Sequence, residues 1–315
     1  MIENRIEKDV PLSPLTTFKI GGPARYFLKV KNQDEIIKAV KWAKEKNIPY
    51  FILGGGSNIL VSDKGFNGLV INLNFSKKIK ILSRINPDNI LLLVGAGISL
   101  QTLVNFCIKN NFSGLEWGIG IPGTVGGALR GNAGAYGHSI SSVVKFIKIL
   151  RNGSIQRLIN KHIKFSYRSS IFQQNNDIIL EAVLKFKKGV GRKEKKIIEY
   201  GLKHRANTQP YGHSPGCIFK NVDMLKFSTR FLKNDADIKK FKNNQQIPAG
   251  WLIEKCGLKG KQIGGAEISK KHANFIVNKE SATADNVIVL ISIIKSKVRN
   301  KFNIQLNEEV GYIGF

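Results

Sequence analysis

Glycine crowds into one stretch of this chain at a density that few folds accommodate. Nine of the 24 residues from Gly114 to Gly137 are glycine, out of 31 in all 315 residues. The run reads Gly118-Ile119-Gly120-Ile121-Pro122-Gly123-Thr124-Val125-Gly126-Gly127-Ala128, then Asn132-Ala133-Gly134-Ala135-Tyr136-Gly137. A flexible linker would be polar and serine-rich, whereas this stretch carries Ile, Val, Ala, Leu and Trp117. It is therefore expected to fold, and its missing side chains let backbone approach a large flat ligand closely.

A second glycine loop precedes it. The apolar strand Phe51-Ile52-Leu53 runs straight into Gly54-Gly55-Gly56-Ser57-Asn58. Such a turn lets backbone N–H groups converge on an anion, with Ser57 and Asn58 as side-chain donors. The two common phosphate motifs do not fit. A dinucleotide fingerprint needs G-x-G-x-x-G opening a helix, and a P-loop ends in Gly-Lys-Ser/Thr. Here apolar Ile59 to Val61 follows, then a turn at Ser62-Asp63-Lys64-Gly65, so the loop joins strand to strand. Two glycine loops at strand ends, about 65 residues apart, point to one extended cofactor with a diphosphate and a planar ring.

Composition narrows the class. The length suffices for two domains, and 42% hydrophobic with 23% charged residues excludes a mainly disordered chain. The 50 Lys+Arg against 22 Asp+Glu leave +28, which suggests anionic partners without choosing among nucleic acid, membrane and phosphorylated metabolites. Three cysteines, Cys107, Cys217 and Cys256, argue against a disulfide framework. The charged segment Met1 to Asp9 does not read as a signal peptide. Apolar runs such as Val287 to Ile291 fall far below a membrane helix. A cytoplasmic, reduced protein without a membrane partner is expected. The histidines His138, His162, His204, His213 and His272 lack ligand spacing, so no metal is expected.

The periodicity predicts strands at Tyr26 to Val30, Tyr50 to Leu53, Leu69 to Leu73 and Ile90 to Val94, the last buried on both faces. Helices are expected over Asn32 to Asn47, with Asn32 as N-cap, and over Leu100 to Asn110. Val144 to Leu150 and Ile178 to Phe186 read as strands around a turn at Asn152-Gly153. The basic stretch Lys187 to Arg205 reads as a domain boundary followed by a linking helix, Arg192 to Lys203, with a solvated face. A helix starts with Pro248 at its first position, and Val287, Leu290, Ile291, Ile294 and Val298 mark a long amphipathic helix.

Further motifs follow in order: Leu15-Thr16-Thr17-Phe18-Lys19-Ile20-Gly21-Gly22-Pro23-Ala24, Tyr167-Arg168-Ser169-Ser170, Gly216-Cys217-Ile218-Phe219-Lys220-Asn221, Ala249-Gly250-Trp251-Leu252-Ile253-Glu254, Gly257-Leu258-Lys259-Gly260, Ile263-Gly264-Gly265-Ala266 and Leu306-Asn307-Glu308-Glu309-Val310. With the two loops, their order and spacing resemble the UDP-N-acetylenolpyruvoylglucosamine reductases, a family of the vanillyl-alcohol-oxidase-like flavoprotein superfamily. The resemblance implies an α+β fold, with a PCMH-type FAD-binding domain over 1–187 and a smaller α+β substrate-binding domain over 188–315. It implies non-covalent FAD, NADPH as hydride donor, and a monomer that reduces UDP-N-acetylglucosamine enolpyruvate to UDP-N-acetylmuramate for peptidoglycan synthesis. Gly216 follows Phe172 by only 44 positions, which favours the family's shorter type II form, without an inserted capping segment. Asp223 to Gln246 reads as a polar surface excursion.

The same resemblance distributes roles. Gly54, Gly55, Gly56, Ser57, Asn58, Gly120, Ile121, Pro122, Gly123, Thr124, Gly126, Gly127, Ala128, Asn132 and Gly134 are the cofactor-binding positions. Arg168 matches the arginine that meets the enolate charge developing on the substrate. Cys217 stands where the family has a proton-donating serine. A thiol, with a reference pKa of ~8.5, stays mostly protonated at neutral pH yet is a better acid than a hydroxyl. Glu309, rather than Glu308, matches the glutamate placed near the protonated carbon. Arg205 at the start of the second domain, Lys220, Asn221 and His272 resemble substrate contacts. Cys107 and Cys256 read as structural. The rival readings are another flavin oxidoreductase of the superfamily, which would lack the linked Arg168, Cys217 and Glu309 motifs, and a basic nucleic-acid-binding protein. Against the latter, the cations are spread along the chain without an interleaved aromatic module, so no nucleic-acid partner is expected.

Overall fold

Short alternating strands and a few amphipathic helices follow each other along the chain. The computed structural model describes residues 2–73, 78–86, 88–189, 191–226, 241 and 245–315. Its elements are β1 (Glu7–Pro11), β2 (Pro23–Lys29), α1 (Gln33–Glu45), β3 (Tyr50–Leu53), β4 (Ile59–Val61), β5 (Phe66–Asn72), β6 (Ile79–Asn86), β7 (Asn89–Gly95), α2 (Leu100–Lys109), β8 (Phe112–Ser113), α3 (Val125–Arg130), β9 (Gly134–Ala135), β10 (His138–Ser139), β11 (Val144–Arg151), β12 (Ser154–Ile159), β13 (Ile178–Lys188) and α4 (Arg192–Thr208). Then come β14 (Val222–Asp223), β15 (Gln246–Ile247), α5 (Ala249–Lys255), β16 (Gln262–Ile263), β17 (Ala266–Ile268), β18 (Ile276–Asn278), α6 (Ala284–Phe302) and β19 (Gly311–Ile313).

Two compact units result. The first is Met1–Val10, Ala24–Gly55 and Asn67–Asn207; the second is Pro11–Pro23, Gly56–Phe66 and Thr208–Phe315. This differs from a single boundary between 187 and 188. Helix α4 joins the first unit, and two N-terminal segments join the second.

In the first unit, a four-stranded sheet of order β1-β2-β5-β3 carries α1. The helix begins as its sequence dictates: the Asn32 side chain accepts from the Glu35 amide at 2.9 Å. Its buried stripe of Ile36, Ala39, Val40 and Ala43 meets Leu28, Leu69 and Ile71, and Leu150, Ile178 and Leu180 from the second sheet. That larger sheet has the order β12-β11-β13-β7-β6, with β8 beside β13. The central strand β13 is buried along most of its length. In β7, Ile90, Leu92 and Val94 are buried while Leu91 and Leu93 are half-buried, so one face is less covered than the sequence suggested. Asn152 and Gly153, with φ of 50° and 80°, form the tight turn that returns the chain into β12. This strand is largely exposed, and so lacks the apolar signal that marks its neighbours.

The second unit pairs β4 with β19 in parallel and builds a three-stranded sheet, β16-β17-β18. Its core joins Phe18, Leu60, Ile218, Phe219, Leu252, Ile268, Leu290 and Ile294. Helix α6 starts with a reciprocal cap between Thr283 and Asn286. Asp63 adds a carboxylate that accepts from the Ala284 amide at 2.8 and 3.0 Å. Pro248 is the N-cap of α5 and lies one residue before its first helical position. Most of the Asp223 to Gln246 stretch lies outside the described residues.

Candidate functional site

Within the first unit the two glycine loops touch. A Cβ on Gly54 would lie 2.6 Å from Thr124 Oγ1, and one on Gly55 would lie 2.8 Å from Gly123 Cα. No side chain fits at that distance, so glycine at 55 is what allows the loops to meet. Thr124 also caps α3, its Oγ1 accepting from Gly127 N at 3.2 Å. Gly55, Gly120 and Gly127 present bare backbone to solvent. Among the described residues, neither the Gly55 nor the Gly123 amide donates to a main-chain acceptor. The Gly55 and Gly123 amides suit the diphosphate of a dinucleotide cofactor. Ile121, Pro122 and Gly126 belong to the same loop and helix start, and Gly126 packs on Ala96. Gly56, Ser57 and Asn58 belong to the second unit.

Three expected cofactor positions have partners within the protein. Ala128 is buried in the core. Gly134 lies under the hairpin β9–β10, where a Cβ would meet the His138 carbonyl oxygen at 2.3 Å. Asn132 is buried, and both ends of its amide are used. Nδ2 donates to the Ser166 carbonyl at 2.8 Å, and Oδ1 accepts from Ser141 N at 3.3 Å.

Asn132 thereby fixes the base of the turn that carries Arg168. Ser166 and Ser169 exchange backbone hydrogen bonds of 3.0 and 3.1 Å, which leaves Tyr167 and Arg168 at the tip. Arg168 has φ 52° there, in the left-handed region. Its guanidinium lies 5.4 Å from the Tyr167 ring centroid. The Ser170 hydroxyl donates to the Arg130 carbonyl at 2.7 Å, and Arg130 donates to the Phe172 carbonyl. Burial lowers the Arg130 pKa. The arginine turn and the glycine run are thus one hydrogen-bonded block.

Helix α4 lies across the other end of the run. Gly201 faces Ile119 and Tyr136, and Arg205 lies against Gly120. Arg205 therefore belongs to the first unit, contrary to its expected place at the start of a substrate domain.

In the second unit, Cys217 sits in a short extended segment clamped on both sides. It bridges Phe275, and Phe219 bridges Glu308. Glu309 N donates to the Ile218 carbonyl at 2.7 Å, and Lys220 N donates to the Asn307 carbonyl at 2.9 Å. Glu308 turns to α6, where Lys295 Nζ lies 2.8 Å from its Oε1. Cys217, Lys220 and Glu309 are half-buried. Asn58 Nδ2 donates to the Glu309 carbonyl at 3.0 Å.

Two expected substrate contacts have local partners. Asn221 Oδ1 accepts from Ala249 N, the first residue of α5, at 3.2 Å. His272 Nδ1 accepts from Asn274 N at 3.2 Å, and the ring packs 4.8 Å from that of Phe275. The residue that sequence reasoning passed over is Asn274. It is 3% exposed, accepts from Phe219 N at 3.0 Å and donates to the Phe219 carbonyl at 2.9 Å. Its signal was a lone amide in an otherwise apolar segment, a group that burial obliges to find partners.

The other thiols differ in surroundings. Burial, aided by the nearby Glu116 carboxylate, pushes the Cys107 thiol up to about 12. Burial also raises Cys256, against the pull of Lys301 and Lys297. Among the described residues, no three His, Cys, Asp or Glu side chains gather as a metal site, and no helix is long and apolar enough to cross a membrane.

Comparison with known proteins agrees with this layout. Residues 24–158 match the model of an FAD binding domain, and residues 209–313 match that of the UDP-N-acetylenolpyruvoylglucosamine reductase C-terminal domain. An FAD binding domain joined to this second domain in an α+β fold defines a flavoprotein oxidoreductase, with FAD as its cofactor. The reductase of Prochlorococcus marinus (strain NATL2A) is 37% identical over 99% of each chain. That of Bacillus pumilus (strain SAFR-032) is 36% identical over 98% of this chain and 94% of its own. The crystal structure of the Thermus caldophilus enzyme superimposes with a TM-score of 0.77 at 29% identity, covering 98% of this chain and 99% of that one. The chain belongs to the UDP-N-acetylenolpyruvoylglucosamine reductase family.

Proposed function

We propose that this reductase uses NADPH to convert UDP-N-acetylglucosamine enolpyruvate to UDP-N-acetylmuramate, with Cys217 as the proton donor. The reading rests on one observation: backbone bonds hold the Cys217 segment between Phe275 and the Glu308-Glu309 pair. Bound FAD would supply the hydride relay between NADPH and C3 of the enolpyruvyl group. Residues of the two glycine loops, Gly55 and Gly123 above all, would hold the cofactor through backbone amides. The Arg168 guanidinium meets the carboxylate and the enolate charge that hydride addition creates. Cys217 Sγ then gives its proton to C2, completing the saturated ether, and the thiolate is reprotonated from solvent. Glu309 orients the enol and the donor. Lys220, adjacent to the clamped segment, is the cation offered to the UDP diphosphate. A soluble monomer in the cytoplasm is the form this reading implies. The charge of +28 then serves to draw in two multiply anionic nucleotides.

Stopped-flow spectroscopy of Cys217→Ala holoenzyme tests the assignment. NADPH should still bleach the flavin at the wild-type rate. Reoxidation of the reduced flavin by the enolpyruvyl substrate should slow by roughly 10²–10⁴-fold. Equal loss of both half-reactions would remove Cys217 from the role.

A further inference from the structure

Helix α4 is a basic segment whose charges read from sequence as a solvated face between domains. Those charges, Arg192, Lys193, Lys195, Lys196 and Lys203, are exposed, and the opposite face of the helix is packed. At Gly201 the helix has no side chain, and a Cβ there would lie 2.9 Å from Ile119 Cγ2 and 3.5 Å from the Tyr136 ring. One face of α4 is thereby pressed onto the glycine run. The next turn is fixed by three rings. Tyr136 meets Tyr200 edge-on at 5.2 Å and His204 edge-on at 5.8 Å, while Tyr200 and His204 stack at 5.4 Å. The following residue is Arg205, half-buried, and its aliphatic stem covers Gly120. A Cβ on Gly120 would lie 2.9 Å from Arg205 Cδ and 3.6 Å from Nε. Gly120 itself has φ 71°, is exposed, and donates its amide to Gln101 Oε1 at 2.7 Å. The Arg205 charge reaches far enough into this layer to oppose the upward shift that burial gives the Tyr136 phenol.

We infer that Arg205 is a cofactor-binding residue, whose guanidinium pairs with the diphosphate of FAD, and that the α4 ring cluster positions it. A cation fixed on the rim of a bare glycine loop is directed at an anion lying in that loop, and the diphosphate is the permanently anionic part of FAD. A planar guanidinium can donate two parallel hydrogen bonds to phosphate oxygens. The absent side chain at Gly120 leaves room for the arginine stem alongside the ligand. This rests on the FAD-binding assignment and is independent of which substrate the reduced enzyme consumes.

The test is retention of FAD by the purified holoenzyme, read as bound flavin after dilution and gel filtration and as a dissociation constant from flavin fluorescence. Arg205→Met keeps the stem that covers Gly120 and removes the charge; Arg205→Lys keeps a charge. Arg205→Met should weaken FAD binding by about 10- to 100-fold, the range for a charged hydrogen bond. Arg205→Lys should recover part of the loss, and in Arg205→Met the fold-change in FAD affinity should exceed any change in substrate KM at saturating FAD. Unaltered FAD affinity with a raised substrate KM would reassign Arg205 to the substrate and overturn the inference. Equal FAD loss in both variants would overturn it too, because packing of the stem and not charge would then be the cause. If the wild-type holoenzyme failed to reduce the proposed substrate, the FAD measurements would still decide the role of Arg205.

Discussion

The Glu309 amide donates to the Ile218 carbonyl across 2.7 Å, so the two chain segments that carry Glu309 and Cys217 are tied to each other. The Glu309 carbonyl is held as well, by Asn58 Nδ2 at 3.0 Å, and the Asn58 carbonyl accepts from Gly311 N at 3.0 Å. Both main-chain groups of Glu309 are thus committed, one to the Cys217 segment and one to the end of the first glycine loop. Asn58, one of the expected cofactor positions, donates its amide nitrogen to Glu309.

Removing that amide should disturb the position of Glu309 while β4–β19 pairing persists. Asn58→Ala is expected to lose about 1 kcal/mol of stability, one hydrogen bond's worth. Small displacements of catalytic groups have large kinetic effects, so flavin reoxidation by substrate should slow by roughly 10-fold. Hydrogen exchange at the Glu309 and Gly311 amides should accelerate relative to wild type. Protection equal to wild type would show that β19 alone fixes Glu309.

The neighbouring glutamates separate cleanly by charge removal. Glu308 is paired with Lys295, whose side chain is 34% exposed, so Glu308→Gln should cost only about 0.5 kcal/mol and leave turnover intact. Glu309→Gln should fold equally well and lose the substrate half-reaction by roughly 10²-fold or more. Steady-state turnover of the two variants, measured beside their urea midpoints, checks this. The reverse ranking would move the role to Glu308.

Much of this arrangement was legible in the sequence, for identifiable reasons. Glycine density announced the two loops because close backbone approach leaves no other residue possible at Gly55. Asn32 announced α1 because an N-cap is a local signal. Contacts between distant segments were not legible. Nothing in the pattern of α4 says which core its apolar stripe of Ile198 and Gly201 will join, so the contact of Arg205 with Gly120 is not legible in the sequence. The same blindness hid the excursion of residues 56–66 into the second unit, and the clamps made by Asn132 and Asn274. Amides in those positions resemble loop residues until their partners, 34 and 55 residues away, are seen.

One of those distant contacts has a direct effect on stability. Asp63, in the turn after β4, accepts from the first amide of α6, and Thr283 caps the same helix end. The two caps satisfy different donors, so losing one is not compensated by the other. Asp63→Ala should lower unfolding free energy by about 1 kcal/mol, and Asp63→Asn by less, because an amide oxygen still accepts. A chemical denaturation series of the three proteins reads the difference directly.

Cys107 offers a test by pH. Its thiol is pushed up to about 12 by burial against the α2 core and by the Glu116 carboxylate. In the unfolded chain the same thiol ionises near ~8.5. Between these values the unfolded state releases a proton that the folded state keeps, so stability falls as pH rises. The contribution of Cys107 is complete below about pH 8.5 and lost progressively toward pH 12. Cys107→Ala should flatten that alkaline decline relative to wild type, at the expense of a core cavity that lowers stability at every pH. The native thiol should also resist alkylation at pH 8 until the protein unfolds, since the thiolate is the reactive form. Denaturation midpoints of both proteins across that alkaline range check the sign, and a decline of equal slope in the variant would assign the alkaline transition to other groups.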